Sequence, residues 1–350
     1  MILGDLQRLY RGDSISSPPI AFADVSRRVH KTKSREERRG WWQTYLGAAQ
    51  ATRLSDQSAA TQPASAKGPV VLVRCPGIVT KLTELEASVS QRIQGANLSH
   101  VVIYALARLL SRRTTAKQQP TMGFYTAGRA GLADEDPEAS AAAIPLLNVL
   151  PLAVDVNASA ADTKQARATA TKASIQAVRE DLLQRVSWEQ SRLREVLSDV
   201  YDGKPMFDVF LNLLWHRGGG DEEAIAGSRA GHADADDGTV SWEHWRTSES
   251  AEYFTSTKTH DTESSTMAGR DTSYLPEHKC YIDVRRDQAG DCLSFGLKAD
   301  AGMFGGRSSG GGGSSADDGL TTTEQALGEL SQELAEEISA VVAEVADCSG

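Results

Sequence analysis

Histidine, cysteine and carboxylate side chains are the groups through which proteins most often move protons, attack carbonyls or hold metals. The seven histidines of this 350-residue chain are His30, His100, His216, His232, His244, His260 and His278, and none has a second histidine beside it. His232 opens the run His-Ala-Asp-Ala-Asp-Asp-Gly, the nearest approach to a histidine–carboxylate constellation. That run lies in a stretch dominated by Gly, Asp, Ser, Thr and His, where it reads as a solvated loop. Cys75, Cys280, Cys292 and Cys348 have no C-x-x-C spacing, which points away from a zinc site or a dense disulfide framework. Asp208 sits inside the apolar run PMFDVF and would be a buried carboxylate in need of partners.

Composition narrows the field further. A hydrophobic fraction of 40% can fill a core, and a net charge of -10 argues against bulk nucleic-acid binding, which relies on neutralising phosphates. The longest apolar run, 144–156, is interrupted by Pro145, Asn148 and Pro151, short of the roughly 18 residues that cross a bilayer, so no membrane span is expected. Asp5 and Arg8 break up the first dozen residues, unlike the apolar core of a secretory signal. A reducing cytoplasm is the expected setting. Between Arg27 and Arg39 seven basic residues gather, either as a solvated helix face and linker or as a patch for an anionic partner.

The elements that would position these groups can be read from periodicity. Apolar residues at Ile2, Leu3, Leu6 and Leu9 predict a short helix, and 20–46 reads as a second, ending in Trp41, Trp42 and Tyr45. Residues 48–68 read as a linker. Strands are predicted at 69–75, 121–127 and 207–215, with the run 144–156 between them, and a hairpin at 279–285 and 292–298. Helices are predicted from Leu82 through Ile93, from Ser99, over 161–184 and 187–201, and over 322–345. Strand and helix alternate, which favours an α/β layer architecture. The stretches 217–273 and 305–319 read as low-complexity insertions.

In their order and spacing these segments resemble the condensation domain of nonribosomal peptide synthetases, a pseudodimer of two chloramphenicol-acetyltransferase-like lobes. The resemblance is carried by ILGDLQRLYRG, PIAFADVSRR and WWQTYLGA near the start, then by SHVVIYALARLLSRR, GFYTAGR, LLNVLPLAV, PMFDVFLNLLW and YIDVRRDQAGDCLSFGLKADAGMF. The wording of GFYTAGR, LLNVLPLAV and NLLW leans toward the fungal siderophore-synthetase type. The implied fold is α/β, a mixed sheet flanked by helices with a remnant of a first lobe. The implied division is 1–47 for that remnant, 48–68 for a linker and 69–350 for the second lobe.

The reaction the resemblance implies is amide formation between aminoacyl or peptidyl thioesters tethered to carrier proteins. The phosphopantetheine arms belong to those partners, no cofactor is bound directly, and adjacent synthetase domains are expected neighbours. Holding two tethered reactants together supplies much of the rate. The family's catalytic His-His-x-x-x-Asp-Gly occurs nowhere in the sequence, so no catalytic residue is assigned, and Ala153 stands where the family often has arginine. The resemblance places the opening helix just after that motif and implies that the reading frame continues upstream. Tunnel or lobe-interface candidates are Arg129, Asn148, Pro151, Asp208, Asn212 and Trp215, each with an ordinary structural role as the alternative. Two other readings stay open: a non-catalytic carrier-binding or scaffold module, and a superfamily acyltransferase using a CoA thioester, which would also need the absent histidine.

Overall fold

The structure is a computed structural model and describes residues 24–25, 27–28, 33–54, 70–128, 136, 147–156, 163–214, 279–287, 291–300, 303–304 and 316–346. The alternating, β-branched stretches form β1 (Val70–Thr80), β2 (Thr121–Thr126), β3 (Asn148–Ala153), β4 (Val209–Leu214), β5 (Cys280–Asp287) and β6 (Cys292–Asp300). They make one mixed sheet in the order β1-β6-β5-β4-β2-β3. β5 and β6 are the expected antiparallel hairpin, β4 runs parallel to β5 and to β2, and β3 returns antiparallel to β2. The helices are α1 (Arg35–Tyr45), α2 (Leu82–Arg92), α3 (Leu98–Arg113), α4 (Lys164–Arg185), α5 (Leu193–Tyr201) and α6 (Ala316–Ala346). All described residues belong to one compact unit.

Side chains alternate across a strand, so Val209, Leu211, Ile282, Val284, Leu293, Phe295 and Leu297 share one face, and all are buried. Helices α2, α3, α4 and α6 cover that face and contribute the rest of the core. α3 is apolar on nearly every side because it lies between the sheet and α4 and α6. Its start is fixed by a reciprocal cap: Asn97 Oδ1 accepts from Ser99 N at 3.0 Å, and His100 Nδ1 accepts from Asn97 N at 2.9 Å. The α6 stripe Leu327, Leu330, Leu334, Ile338 and Val341 is fully buried, as the periodicity predicts. A polar lock joins the layer: Arg108 Nη1 lies 2.7 Å from Glu344 Oε2, which also accepts from Thr171 Oγ1 at 2.6 Å. Arg108 Nε approaches Glu337 Oε1 to 2.6 Å as an ion pair without hydrogen-bond alignment, and Arg112 pairs with the same carboxylate.

Several expectations are corrected by local caps and by tertiary contacts. The helix expected over 20–46 is interrupted at Ser34, whose hydroxyl accepts from Glu37 N at 3.1 Å while its N–H donates to Glu37 Oε2 at 2.7 Å. That capping box starts α1 afresh. The basic run is not a free patch: Arg27 pairs with Asp24, Arg28 with Asp136 and Arg35 with Asp199. Lys33 donates to the Ser187 carbonyl at 2.7 Å and lies 4.6 Å over the Trp188 ring. Residues 50–54, read as linker, instead thread beside β2 and β4, where Thr52 is fully buried. Gln50 N donates to Gln119 O at 3.0 Å, Thr52 N to Met206 O at 2.8 Å, and Thr121 N to Thr52 Oγ1 at 2.7 Å.

The helix expected over 187–201 begins only at Leu193, after a single 3-10 turn over Val186–Trp188. The strand expected over 69–75 runs on through Pro76-Gly77 to Thr80, with a register shift between Cys75 and Val79 on this edge strand. α6 begins inside the stretch read as Gly/Ser coil, at Ala316. The opening helix, the whole 217–273 stretch and residues 305–315 lie outside the described residues. Among the described residues no helix is long and apolar enough to cross a membrane.

Candidate functional site

The sheet face turned away from α2, α3, α4 and α6 carries a row of polar side chains. On β4 and β5, Asn212 and Asp283 are paired in register, and Asn212 Nδ2 donates to Asp283 Oδ1 at 2.9 Å. Asp283 in turn stands opposite Gly296 on β6, and Gly296 opposite Arg74 on β1. Gly296 contributes no side chain of its own, so the carboxylate is bordered by a shallow step. A Cβ there would meet Asp283 Cβ only at 3.7 Å, so the position is roomy. Tyr125 on β2 lies near this carboxylate: burial raises its hydroxyl pKa first, and the Asp283 charge raises it further. Tyr281 is pushed up to about 12 by burial, then by Tyr125 and Asp300.

One end of the row is closed by aromatics. Phe210 stacks on Tyr281 with centroids 5.0 Å apart and meets Phe207 edge-on at 5.3 Å. Both phenylalanines lie over Gly123, where a Cβ would come within 2.6 Å and 2.8 Å of them. Leu197 and Tyr201 of α5 pack on this cluster. The row therefore runs from a packed aromatic end toward the exposed Arg74. Chemically it offers a carboxylate held by an amide and hydroxyl donors that stay protonated at neutral pH. Such groups suit orienting an amide- or amine-bearing substrate, and among the described residues no cluster could hold a metal ion.

The residues chosen from sequence divide three ways. Asn212 belongs to the row. Asn148, Pro151 and Asp208 hold backbone instead: the Asn148 amide donates to the Glu189 and Ser191 carbonyls, each at 2.7 Å, tying the α4–α5 turn to β3. Pro151 is buried opposite Gly123 on β3, an edge strand, where its missing N–H costs no ladder bond. Asp208, with no exposure, accepts the Leu54 N–H at 3.0 Å through Oδ1. Arg129, Trp215 and His232 lie outside the described residues. The neighbouring Gly128, at φ +65°, is fixed through its carbonyl, which accepts from Gln190 Nε2. Sequence reasoning missed Tyr125, Tyr281 and Asp283. The signal was the alternation of KCYIDVR, which puts 281 and 283 on the face opposite Ile282 and Val284.

No family model matches the sequence. The chain is 26% identical over 308 residues to the nonribosomal peptide synthetase sidC of Aspergillus fumigatus, covering 87% of this chain and 6% of that protein. It is 32% identical over 206 residues to the siderophore peptide synthetase fer3 of Mycosarcoma maydis, covering 57% of this chain and 4% of that protein. In structure it resembles the condensation domain of the monacolin K polyketide synthase MokA, with a TM-score of 0.52, 10% identity, 96% of this chain and 65% of that one. The chain is thus similar in sequence to fungal nonribosomal peptide synthetases and has the fold of condensation domains. The layer order, a six-stranded mixed sheet flanked by helices, agrees with the fold expected from the motifs. It spans only about 6% of the length of sidC.

Proposed function

We propose that this chain forms the second-lobe wall of a siderophore-type condensation domain and orients carrier-tethered substrates along its open sheet face. The observation that carries this reading is the row Tyr125, Asn212, Asp283, set on a face that α2, α3, α4 and α6 leave free and backed by a rigid sheet. In the proposed reaction an acceptor amine on one carrier attacks a donor thioester on another, giving an amide and a free thiol. Asp283 and Asn212 would hold the amine-bearing arm, the aromatic end would keep water from the thioester, and the phosphopantetheine arms of both carriers would be the substrates' tethers. Carrier proteins and adjacent synthetase domains are the proposed partners, in the cytoplasm.

Titrating the full chain with a carrier domain bearing a non-hydrolysable aminoacyl-pantetheine tests this by nuclear magnetic resonance. Amide shifts at Tyr125, Asn212 and Asp283 are expected, reduced by Asp283→Ala. Saturating shifts confined to the helical side would overturn the reading.

A second reading, a carrier-binding module without catalysis, is favoured by the absence of His-His-x-x-x-Asp-Gly from the sequence. It predicts no amide product from loaded carriers and the chain alone. Product above the carrier-only background would refute it.

A further inference from the structure

On the opposite side of the molecule, where the C-terminus of α2 meets α4, an open groove of about 600 Å3 is lined by Arg92, Ile93, Gln94, Lys172, Ala173, Gln176 and Arg179. Among the described residues that line it there is no carboxylate. In this chain of net charge -10 several guanidinium groups face acids: Arg35 meets Asp199, Arg108 and Arg112 meet Glu337, Arg113 meets Glu333, and Arg286 meets Glu86. Among the described residues, no carboxylate lies within ion-pair distance of Lys172 or Arg179. Glu180, next to Arg179 on α4, accepts from the Gln176 amide at 2.9 Å.

Arg179 is also fixed in place. Its Nε donates to the Gly95 carbonyl at 3.1 Å, and Gly95, at φ +74°, could not carry a Cβ without meeting that nitrogen at 2.6 Å. The remaining guanidinium N–H groups are left for another acceptor. Behind them His100 is held neutral, its pKa lowered to about 4 by burial and then by the Arg179 charge, so it adds no cation of its own. Its Nδ1 is occupied by the Asn97 N–H.

We infer that this groove binds a phosphate-bearing anion, with Arg179 and Lys172 contacting the phosphate oxygens and the Gln94 amide at its border. Arg179 and Lys172 come from one helix and offer a planar guanidinium and a compact ammonium, both of which pair with phosphate oxygens, and their positive field in an acidic protein concentrates anions there.

The experiment titrates the full chain with inorganic phosphate, with 4′-phosphopantetheine and with unphosphorylated pantetheine at constant ionic strength, following backbone amides and the His100 ring by nuclear magnetic resonance. Saturable shifts at residues 92–95 and 172–179 with the two phosphates and none with pantetheine are expected. The His100 titration midpoint should move upward as the bound anion offsets Arg179. Tighter binding of phosphopantetheine than of phosphate would assign the anion to a tethered arm, and equal binding to free phosphate; either supports the site. Arg179→Gln and Lys172→Gln, both at part-exposed positions, should each weaken binding at least tenfold with the melting temperature unchanged. Linear, unsaturable shifts, or variants that bind as the parent does, would overturn the inference.

Discussion

At the scale of single residues, the polar groups that matter are those whose partners lie far along the chain. Asp181 is one: burial raises its pKa from 3.8 to about 6, against the opposing pull of Arg185 and the Tyr45 hydroxyl, which donates to it at 2.9 Å. A carboxylic acid whose folded pKa is raised stabilises fully below its unfolded value, and that contribution is lost as pH rises through the folded value. Unfolding free energy should therefore fall by about 2 to 3 kcal/mol through Asp181 between pH 4 and 6.5. Asp181→Asn should remove this part of the pH dependence. His100 titrates in the same window with the opposite sign, so the informative quantity is the difference between parent and variant in urea unfolding. Parallel curves would mean that Asp181 titrates as an exposed acid. Gly123 gives a second residue-scale expectation: Gly123→Ala must displace Phe207 or Phe210, and should cost about 1 to 3 kcal/mol in the same assay. Sequence alone marked Asp208 and Asn148 as polar groups in apolar surroundings. It could not reveal that one holds Leu54 N and the other the carbonyls of 189 and 191, because those partners come from other elements.

Among the elements, α6 shows what periodicity reveals and what it hides. Its apolar stripe is legible at 3.6-residue spacing, whereas Glu337, 5% exposed, and Glu344 are charged residues on a helix that reads as ordinarily amphipathic. They are buried because Arg108 and Arg112 of α3, more than two hundred residues earlier, arrive opposite them. Leu334→Asp should destabilise strongly by placing an unpaired charge in the core. Ala343→Asp on the exposed side should change the melting temperature little. Arg108→Met should cost about 3 kcal/mol, because it leaves the buried Glu344 to the Thr171 hydroxyl and Glu337 to Arg112, and adding Glu337→Leu and Glu344→Gln should recover much of that loss in thermal unfolding. If the triple variant were no more stable than the single, the lock would be packing rather than charge. The misread boundaries differ in cause. Ser34 restarts a helix, Pro76-Gly77 bulges within a strand, and 186–192 gives up helix to hold Asn148 and Trp42. At Ser34 a local capping box decides the boundary, at 186–192 bonds to distant elements do, and neither shows in the apolar period.

For the molecule as a whole, the two rims of the sheet are treated differently. β3 is closed by α1: the Tyr45 hydroxyl accepts from Ala153 N at 3.2 Å, and Trp42 and Leu46 pack beside it. β1 at the other rim pairs only with β6 among the described residues, and on the helix-free face it shows Val70, 48% exposed, and Leu72, 36% exposed. An edge strand with apolar side chains outward is a template for pairing with another chain. That rim adjoins the row through Arg74 and Gly296, so whatever covers the open face also meets β1. The expected outcome for the chain alone is concentration-dependent self-association through this rim. Leu72→Lys should lower the weight-average mass seen by sedimentation at high concentration while leaving the melting temperature within about 2 °C, since a substitution on an exposed edge removes little burial. Lysine on an edge strand acts by desolvation cost and repulsion between copies, so the effect should weaken as salt is raised. A mass equal to the monomer at every concentration in the parent protein would show instead that the rim is already covered by this chain's own residues.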